Sequence, residues 1–286
     1  MVPGRLGMQR GGGVTRMAAV VVPGSVIITR KRRSGSVRVS QTVEESKAAI
    51  SLAAAPVYIP AAVAAPIPRY LTQAYWWAYV HPNAVRAFER DWLVSLILFG
   101  NYDRLRDAAL AELGEIVTGQ TLQVACAYGT FTPQLQRRLH PDASLEVVDI
   151  LPIQLRNLAT KLKPDPRVVL RQGDSAALAC ADASYDQLIL FFLLHEQPAA
   201  IRRATLAEAM RVVRPGGKVV IVDYHRPALF NPIRLLMRLV FATLEPYAID
   251  LWRHEVTDFL DAAAAPSAVH KQTFFGGLYQ KLVLTR

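Results

Sequence analysis

The chain has 286 residues, 52% of them hydrophobic, with 18 Pro, 16 Gly and two Cys. That length can bury a large core, and Cys126 and Cys180 alone exclude a disulfide scaffold and any four-cysteine zinc site. Eight of the positive charges behind the net +10 lie in residues 1–43, ahead of the first acid, Glu44, so residues 44–286 carry only +2 and no field for steering nucleic acid is evident there.

Residues 1–45 read as a disordered basic tail. Gly11-Gly12-Gly13, scattered Arg and Ser, and no sustained apolar period give them nothing to pack. The same Arg-rich, acid-poor composition fits a transit peptide, an over-extended start or a basic arm on a membrane surface. Residues 46–115 read as a proline-rich linker and a helical cap. Pro56, Pro60, Pro66 and Pro68 interrupt the apolar run 52–70, and each removes a backbone donor, so no helix spans a bilayer there. Residues 70–113 read as two or three helices. The most apolar stretch, Trp92–Phe99, is packed on the core, or is an interfacial anchor or an apolar substrate tunnel.

Residues 116–286 alternate between strand and helix. Strands are predicted at 121–126, 145–150, 167–172, 185–194 and 217–225, the fourth apolar enough to be buried on both faces. Helices follow Thr132-Pro133, Pro152 and Pro198. The last of these stops at Arg214-Pro215-Gly216-Gly217. A further helix over 231–252 breaks near Pro246, and two strands flank Gly276-Gly277 as a hairpin. The pattern predicts an α/β fold, a doubly wound, mostly parallel seven-stranded sheet with an N-terminal helical extension.

Ligands bind beyond the carboxyl ends of strands in such sheets, and five segments there carry chemistry. The first, QVACAYGTFT (123–132), offers small residues at Ala125, Ala127 and Gly129, with Tyr128 between, for close approach to a nucleotide; it matches neither the dinucleotide glycine pattern nor a P-loop. Asp149 stands twenty residues after Gly129, where an acid can bind ribose hydroxyls or cap a helix. Asp174 and Ser175, after Gly173, can meet an adenine or cap a short helix. His195 and Glu196 offer an acid/base or metal pair. Asp223, Tyr224, His225 and Arg226 sit at the same mouth, with Asp223 and His225 as candidate ligands of a divalent ion.

The strand–small loop–helix order, Asp149, Gly173-Asp174 and Arg214-Pro215-Gly216-Gly217 resemble the class I S-adenosylmethionine-dependent methyltransferases over 120–286. That family's first loop reads Asp/Glu-x-Gly-x-Gly-x-Gly; here Gln123 stands at the acid position and Ala125 and Ala127 at the first two glycines. From residue 70 onward, longer blocks resemble the rhodoquinone biosynthesis RquA family within that fold: YWWAYVHPNAVRAFERDWLVSLILFGNYDRLRDAAL, QVACAYGTFT, DILPIQLRNL, FFLLHEQP, VDYHRP, LEPYAIDLW and FFGGLYQKLV. The resemblance implies conversion of ubiquinone to rhodoquinone, a ring methoxy group being replaced by an amino group. It implies S-adenosylmethionine as amino donor, a divalent metal, manganese, and ubiquinone as membrane partner. A peripheral place on the cytoplasmic face of a bacterial inner membrane follows, or on the matrix side of the mitochondrial inner membrane if the tail is a transit peptide. In this scheme His195 or Glu196 is the base, His225 or Tyr224 the acid, and Glu245, Asp250 and His254 are further candidates. The alternatives are a methyltransferase acting on a quinone or other apolar molecule, and a non-catalytic cofactor-binding scaffold.

Overall fold

A computed structural model of the chain describes residues 17–22, 25–30, 57–59, 67–126, 128–262 and 265–286. These divide into two units, within Met1–Ala54 and Ala55–Arg286. The first holds an antiparallel hairpin of β1 (Met17–Val22) and β2 (Ser25–Arg30). Each strand is rich in β-branched residues, and Pro23-Gly24 between them is a turn signal. The remainder of the tail and most of the proline-rich linker lie outside the described residues.

The second unit is built on one sheet, in the order β3 (Val57–Ile59), β6 (Val168–Gln172), β5 (Ser144–Asp149), β4 (Gln120–Val124), β7 (Tyr185–Phe191), β8 (Val213–Tyr224), β10 (Tyr279–Thr285), β9 (Ala268–Phe274). The seven strands from β4 onward form the doubly wound sheet expected from the sequence; β10 is antiparallel to both its neighbours, and the others pair parallel. An eighth short strand, β3, adds parallel to the edge from within the segment read as linker.

The central strand shows why the order holds. In β7, Leu188 and Leu190 pack into the apolar cluster on one face, while Ile189 and Phe191 pack into the cluster on the other. Period-two alternation thus carries apolar side chains both ways, as a strand covered on both faces requires. Helices α5 (Phe131–Arg137), α6 (Pro152–Lys161) and α7 (Ala199–Val212) make the crossovers. Near the start of β8 the Pro215-Gly216-Gly217 turn needs its second glycine. A Cβ at Gly217 would stand 2.6 Å from the Asp186 carbonyl and 2.9 Å from that of Arg214.

The helical extension is more divided than two or three helices. It comprises α1 (Arg69–Ala74), a π-helical turn at Trp76–Val80, α2 (Pro82–Phe88), α3 (Asp91–Ile97) and α4 (Tyr102–Leu113). Pro82 opens α2 and Gly114 ends α4. Leu105, Ala109, Leu110 and Leu113 give α4 its buried stripe. Near the C-terminus, α8 (Ile233–Thr243) and a short α9 (Asp250–Arg253) replace one long helix, the break falling around Pro246 as expected.

Candidate active site

A cavity of about 630 Å³ opens beyond the carboxyl ends of β4, β5, β6 and β7. Asp149, Asp174 and Ser175 line it, and so do His195, Glu196, Tyr224 and Glu245. The helical extension supplies Tyr70, Trp77, Tyr79 and Phe88, and α3 and α8 close it with apolar side chains.

The first loop is held by the chain's own groups. β4 stops at Val124 because Ala125 takes a positive φ of 71°, a conformation ordinarily left to glycine. Gln123 is buried; its amide nitrogen donates to the Ala125 carbonyl at 3.0 Å and its oxygen accepts from the Thr132 hydroxyl at 3.0 Å. The residue at the acid position therefore fastens the loop and does not face the cavity. Gly129 has φ 80°, and a Cβ there would meet the Tyr102 hydroxyl at 2.6 Å. That hydroxyl accepts from the amides of Thr130 and Phe131 and donates to the Tyr128 carbonyl. Glu89 accepts from Gly129 N and from Lys161. The start of α5, which would otherwise present free amides to an anion, is satisfied internally. Tyr102, Glu89 and Lys161 escaped the sequence reading, since no motif connects residues so far apart. Ala127 lies outside the described residues. Tyr128 stacks on Tyr79 at 5.6 Å, donates to the Ala78 carbonyl and accepts from Gln154, so it ties the extension to the sheet.

Asp149 ends β5 with both oxygens engaged, Oδ2 by the amide of Cys126 and Oδ1 by that of Leu151. Burial raises its pKa to about 6, against the pull of those two amides. Asp174 caps the following turn through Ala176 N, and Ser175 bonds Thr205 and Gln197.

The most strongly coupled groups lie after β7. Asp223, fully buried at the end of β8, accepts from the amides of Leu194 and His195 through Oδ2 and from His195 Nδ1 at 2.9 Å through Oδ1. That contact assigns the ring proton to Nδ1 and turns Nε2 toward Glu196 Oε1 at 3.8 Å and Glu245 Oε2 at 3.9 Å. Burial pulls the His195 pKa down, but the Asp223 charge and hydrogen bond, with Glu245 and Glu196 behind them, lift it to about 9. Burial drives Glu196 up to about 8 against the opposing pull of His195, and it raises Glu245 as well. At neutral pH the site therefore holds an imidazolium on Asp223 and a protonated Glu196 carboxyl, with Glu245 shifted toward its protonated form. Glu245 Oε2 is buried with no hydrogen-bond partner, and so is the hydroxyl of Tyr75. Tyr224 presents its ring edge-on to His195 at 4.9 Å, and burial raises its pKa so that it stays a phenol. Behind this turn, the buried Arg202 donates to the carbonyls of Leu194, Gln197 and Tyr247 and fixes its path.

Two expectations are corrected. His225 does not reach the cavity: its Nδ1 bonds the Gly277 carbonyl and its Nε2 lies 2.9 Å from Lys271 Nζ, in a shallow second hollow. Asp223 spends its oxygens on two backbone amides of the turn, on His195 and on Tyr224 N. The two do not converge as ligands, and among the described residues no group of three or more His, Cys, Asp or Glu side chains is disposed to hold a metal ion. The donor set does not fit the manganese expected above. Asp250 pairs with Arg202 at 3.6 Å and His254 packs on Phe259, and neither lines the cavity; Glu245 does.

Residues 121–217 match the family model described as "Methyltransferase domain". The chain is 25% identical over 205 residues to a demethylmenaquinone methyltransferase of Lactococcus lactis, covering 67% of this chain and 79% of that one. It is 30% identical over 144 residues to a ubiquinone/menaquinone biosynthesis C-methyltransferase of Syntrophotalea carbinolica, covering 50% and 59%. The solved structure of phosphoethanolamine N-methyltransferase 2 from Haemonchus contortus superposes with a TM-score of 0.55 at 12% identity, covering 77% and 60%. The sheet order and the cavity position thus match the class I methyltransferase fold.

Proposed function

We propose that the chain converts ubiquinone to rhodoquinone, taking the new nitrogen from S-adenosylmethionine. The observation that carries this reading is the His195–Glu196–Glu245 cluster facing an apolar cavity, in which His195 and Glu196 hold protons at neutral pH. Methyl transfer needs at most one base, whereas displacing methoxide by an amine needs a donor for the departing oxygen and an acceptor for the amine's proton. One carboxyl can do both in turn. Glu196 gives its proton to the leaving methanol and, as carboxylate, takes one from the nitrogen. His195, locked on Asp223, steadies the negative charge in between, and Glu245 faces the same nitrogen of the ring. This departs from a scheme with His195 or Glu196 as the initial base, because burial keeps Glu196 protonated and Asp223 keeps His195 protonated. The nitrogen then leaves the donor's α-carbon with the quinone ring taking two electrons and water supplying the oxygen of a 2-oxo acid, and the resulting aminohydroquinone returns to the quinone by giving two electrons to a second quinone or to dioxygen.

The donor's fit rests on Asp149, whose oxygens each keep a lone pair for a ribose hydroxyl, and on Asp174 and Ser175 beyond it. The internally satisfied start of α5 suits a donor whose amino-acid end is turned toward the reacting ring. The volume, about 630 Å³, lies in the range of small-molecule sites. The second reading is methyl transfer to a quinone, favoured by the names of the bacterial relatives. Incubation with a short-chain ubiquinone and S-adenosylmethionine labelled separately at the amino nitrogen and the methyl group decides between them. Mass spectrometry should find labelled nitrogen in a quinone that has lost a methoxy group. Gain of labelled methyl would overturn amination, and retained donor binding with no product would favour a scaffold.

A further inference from the structure

We propose that α3, α8 and the loop before α8 seat the mouth of the cavity on an anionic phospholipid bilayer. The proposal rests on the quinone reading, which calls for a ligand that partitions into lipid, but its observations are separate. Each helix has two apolar faces. Leu93 of α3 and Met237 and Val240 of α8 line the cavity. The outward faces are apolar too: Leu96 is 64% exposed, Leu235 76% and Phe230, at the tip of the loop, 98%. Trp92, Leu229 and Leu239 are exposed beside them. Leu96, Ile97 and Leu244 are both exposed and part of the cavity wall, so the rim itself is apolar. A lone exposed leucine needs no explanation, whereas two apolar ridges flanking one cavity mouth mark a surface that something covers.

Charge selects the occupant. Arg226, Arg234 and Arg238 run along this segment, and no acid occurs between Arg226 and Leu244. Arg226 and Arg238 are exposed. Apolar side chains flanked by arginines, with a tryptophan at the edge, match the boundary between acyl chains and anionic headgroups. No described helix is long and apolar enough to cross a membrane, so the fitting mode is an in-plane one. A bilayer also accounts for the rim, because what covers the ridges is then the reservoir from which an apolar ligand enters between them.

The test uses the full chain and vesicles of phosphatidylcholine with or without phosphatidylglycerol. Sedimentation should show roughly tenfold or greater preference for the anionic vesicles. Phe230→Asp, Leu235→Asp and Leu239→Asp combined should weaken that binding by about tenfold or more, since three apolar contacts are lost and three like charges are added. None of the three lines the cavity, and turnover of a water-soluble short-chain quinone should stay at the wild-type rate. The basic segment 1–43 could itself attract anionic vesicles, so a triple variant that binds like wild type overturns the proposal. Phe230→Trp gives a reading that does not depend on a disruptive change. Its added fluorescence should be quenched by lipids brominated along the acyl chain, and absence of added quenching overturns the proposal as well. Quenching with no quinone turnover would leave the docking surface standing and remove the amination reading; turnover without vesicle binding would do the reverse.

Discussion

The cavity has two walls made on opposite terms. The wall at the strand ends is polar and rigid: Asp149, Asp223 and His195 are buried and nearly every atom they offer is hydrogen-bonded. The wall of α3 and α8 is apolar inside and outside and makes few directional contacts. The first wall can hold charges and protons in place because fixed donors surround them. The second can admit an apolar molecule because moving a leucine breaks no hydrogen bond. Chemistry and entry are thereby assigned to different sides of one cavity.

The largest expected effect lies on the polar wall. His195→Ala should cut the proposed turnover by roughly 10²–10⁴-fold, the range for losing a positioned proton-transfer group. Donor binding, read by calorimetry, should change far less than turnover, because Asp149 and Asp174 make no hydrogen bond to His195. Turnover at the wild-type rate would remove His195 from the chemistry and leave the cluster a structural one. Arg202→Ala comes next. It removes three hydrogen bonds to carbonyls from a fully buried guanidinium, and a loss of about 3 kcal/mol in folding stability is expected from thermal melts. A change under about 0.5 kcal/mol would show that the turn bearing His195 holds its path unaided.

The proton-holding groups also set a pH dependence. Glu196 is raised from 4.5 to about 8, His195 from 6.5 to about 9 and Asp149 from 3.8 to about 6. Each folded-state pKa lies above its unfolded value, so between the two the folded chain holds a proton that the unfolded chain has released. Stability is therefore greatest below the unfolded values and falls as pH rises through about 5 to 9, by about 1.4 kcal/mol per pH unit for each such proton. Melting temperatures across that window should decline with pH. Glu196→Gln should flatten the decline, and an unchanged slope would mean that Glu196 ionises at an ordinary pH.

Much of the polar wall was legible in the sequence because strand ends are. Alternating runs located β4 to β8, and the residues just after them, Asp149, Asp174, His195, Glu196 and Tyr224, fall on the cavity. His225 shows the limit of that rule. It stands one residue past β8, where the chain has already turned toward the β9–β10 hairpin, and a single residue of overrun moves a side chain to another hollow. Tyr102, Glu89 and Lys161 were invisible for a different reason. They act on the first loop from distant elements, and pairing of that kind has no local pattern. The two short β-branched runs of hairpin β1–β2 carry no period long enough to stand out from the glycines and arginines around them.

The smallest effect tests the apolar wall. Leu235 and Met237 lie two residues apart on α8 and point to opposite sides, one into solvent and one into the cavity and core. Leu235→Gln should shift folding stability by no more than about 0.5 kcal/mol, since an exposed leucine gains little from folding. Met237→Gln buries an amide without partners and should cost about 2 kcal/mol or more. The ratio matters more than either number. A helix free on one side gives a small first value and a large second one. If both substitutions cost alike, the outer ridge is already covered in solution, and the covering surface is then a second copy of the chain, which would show as a concentration-dependent mass in sedimentation.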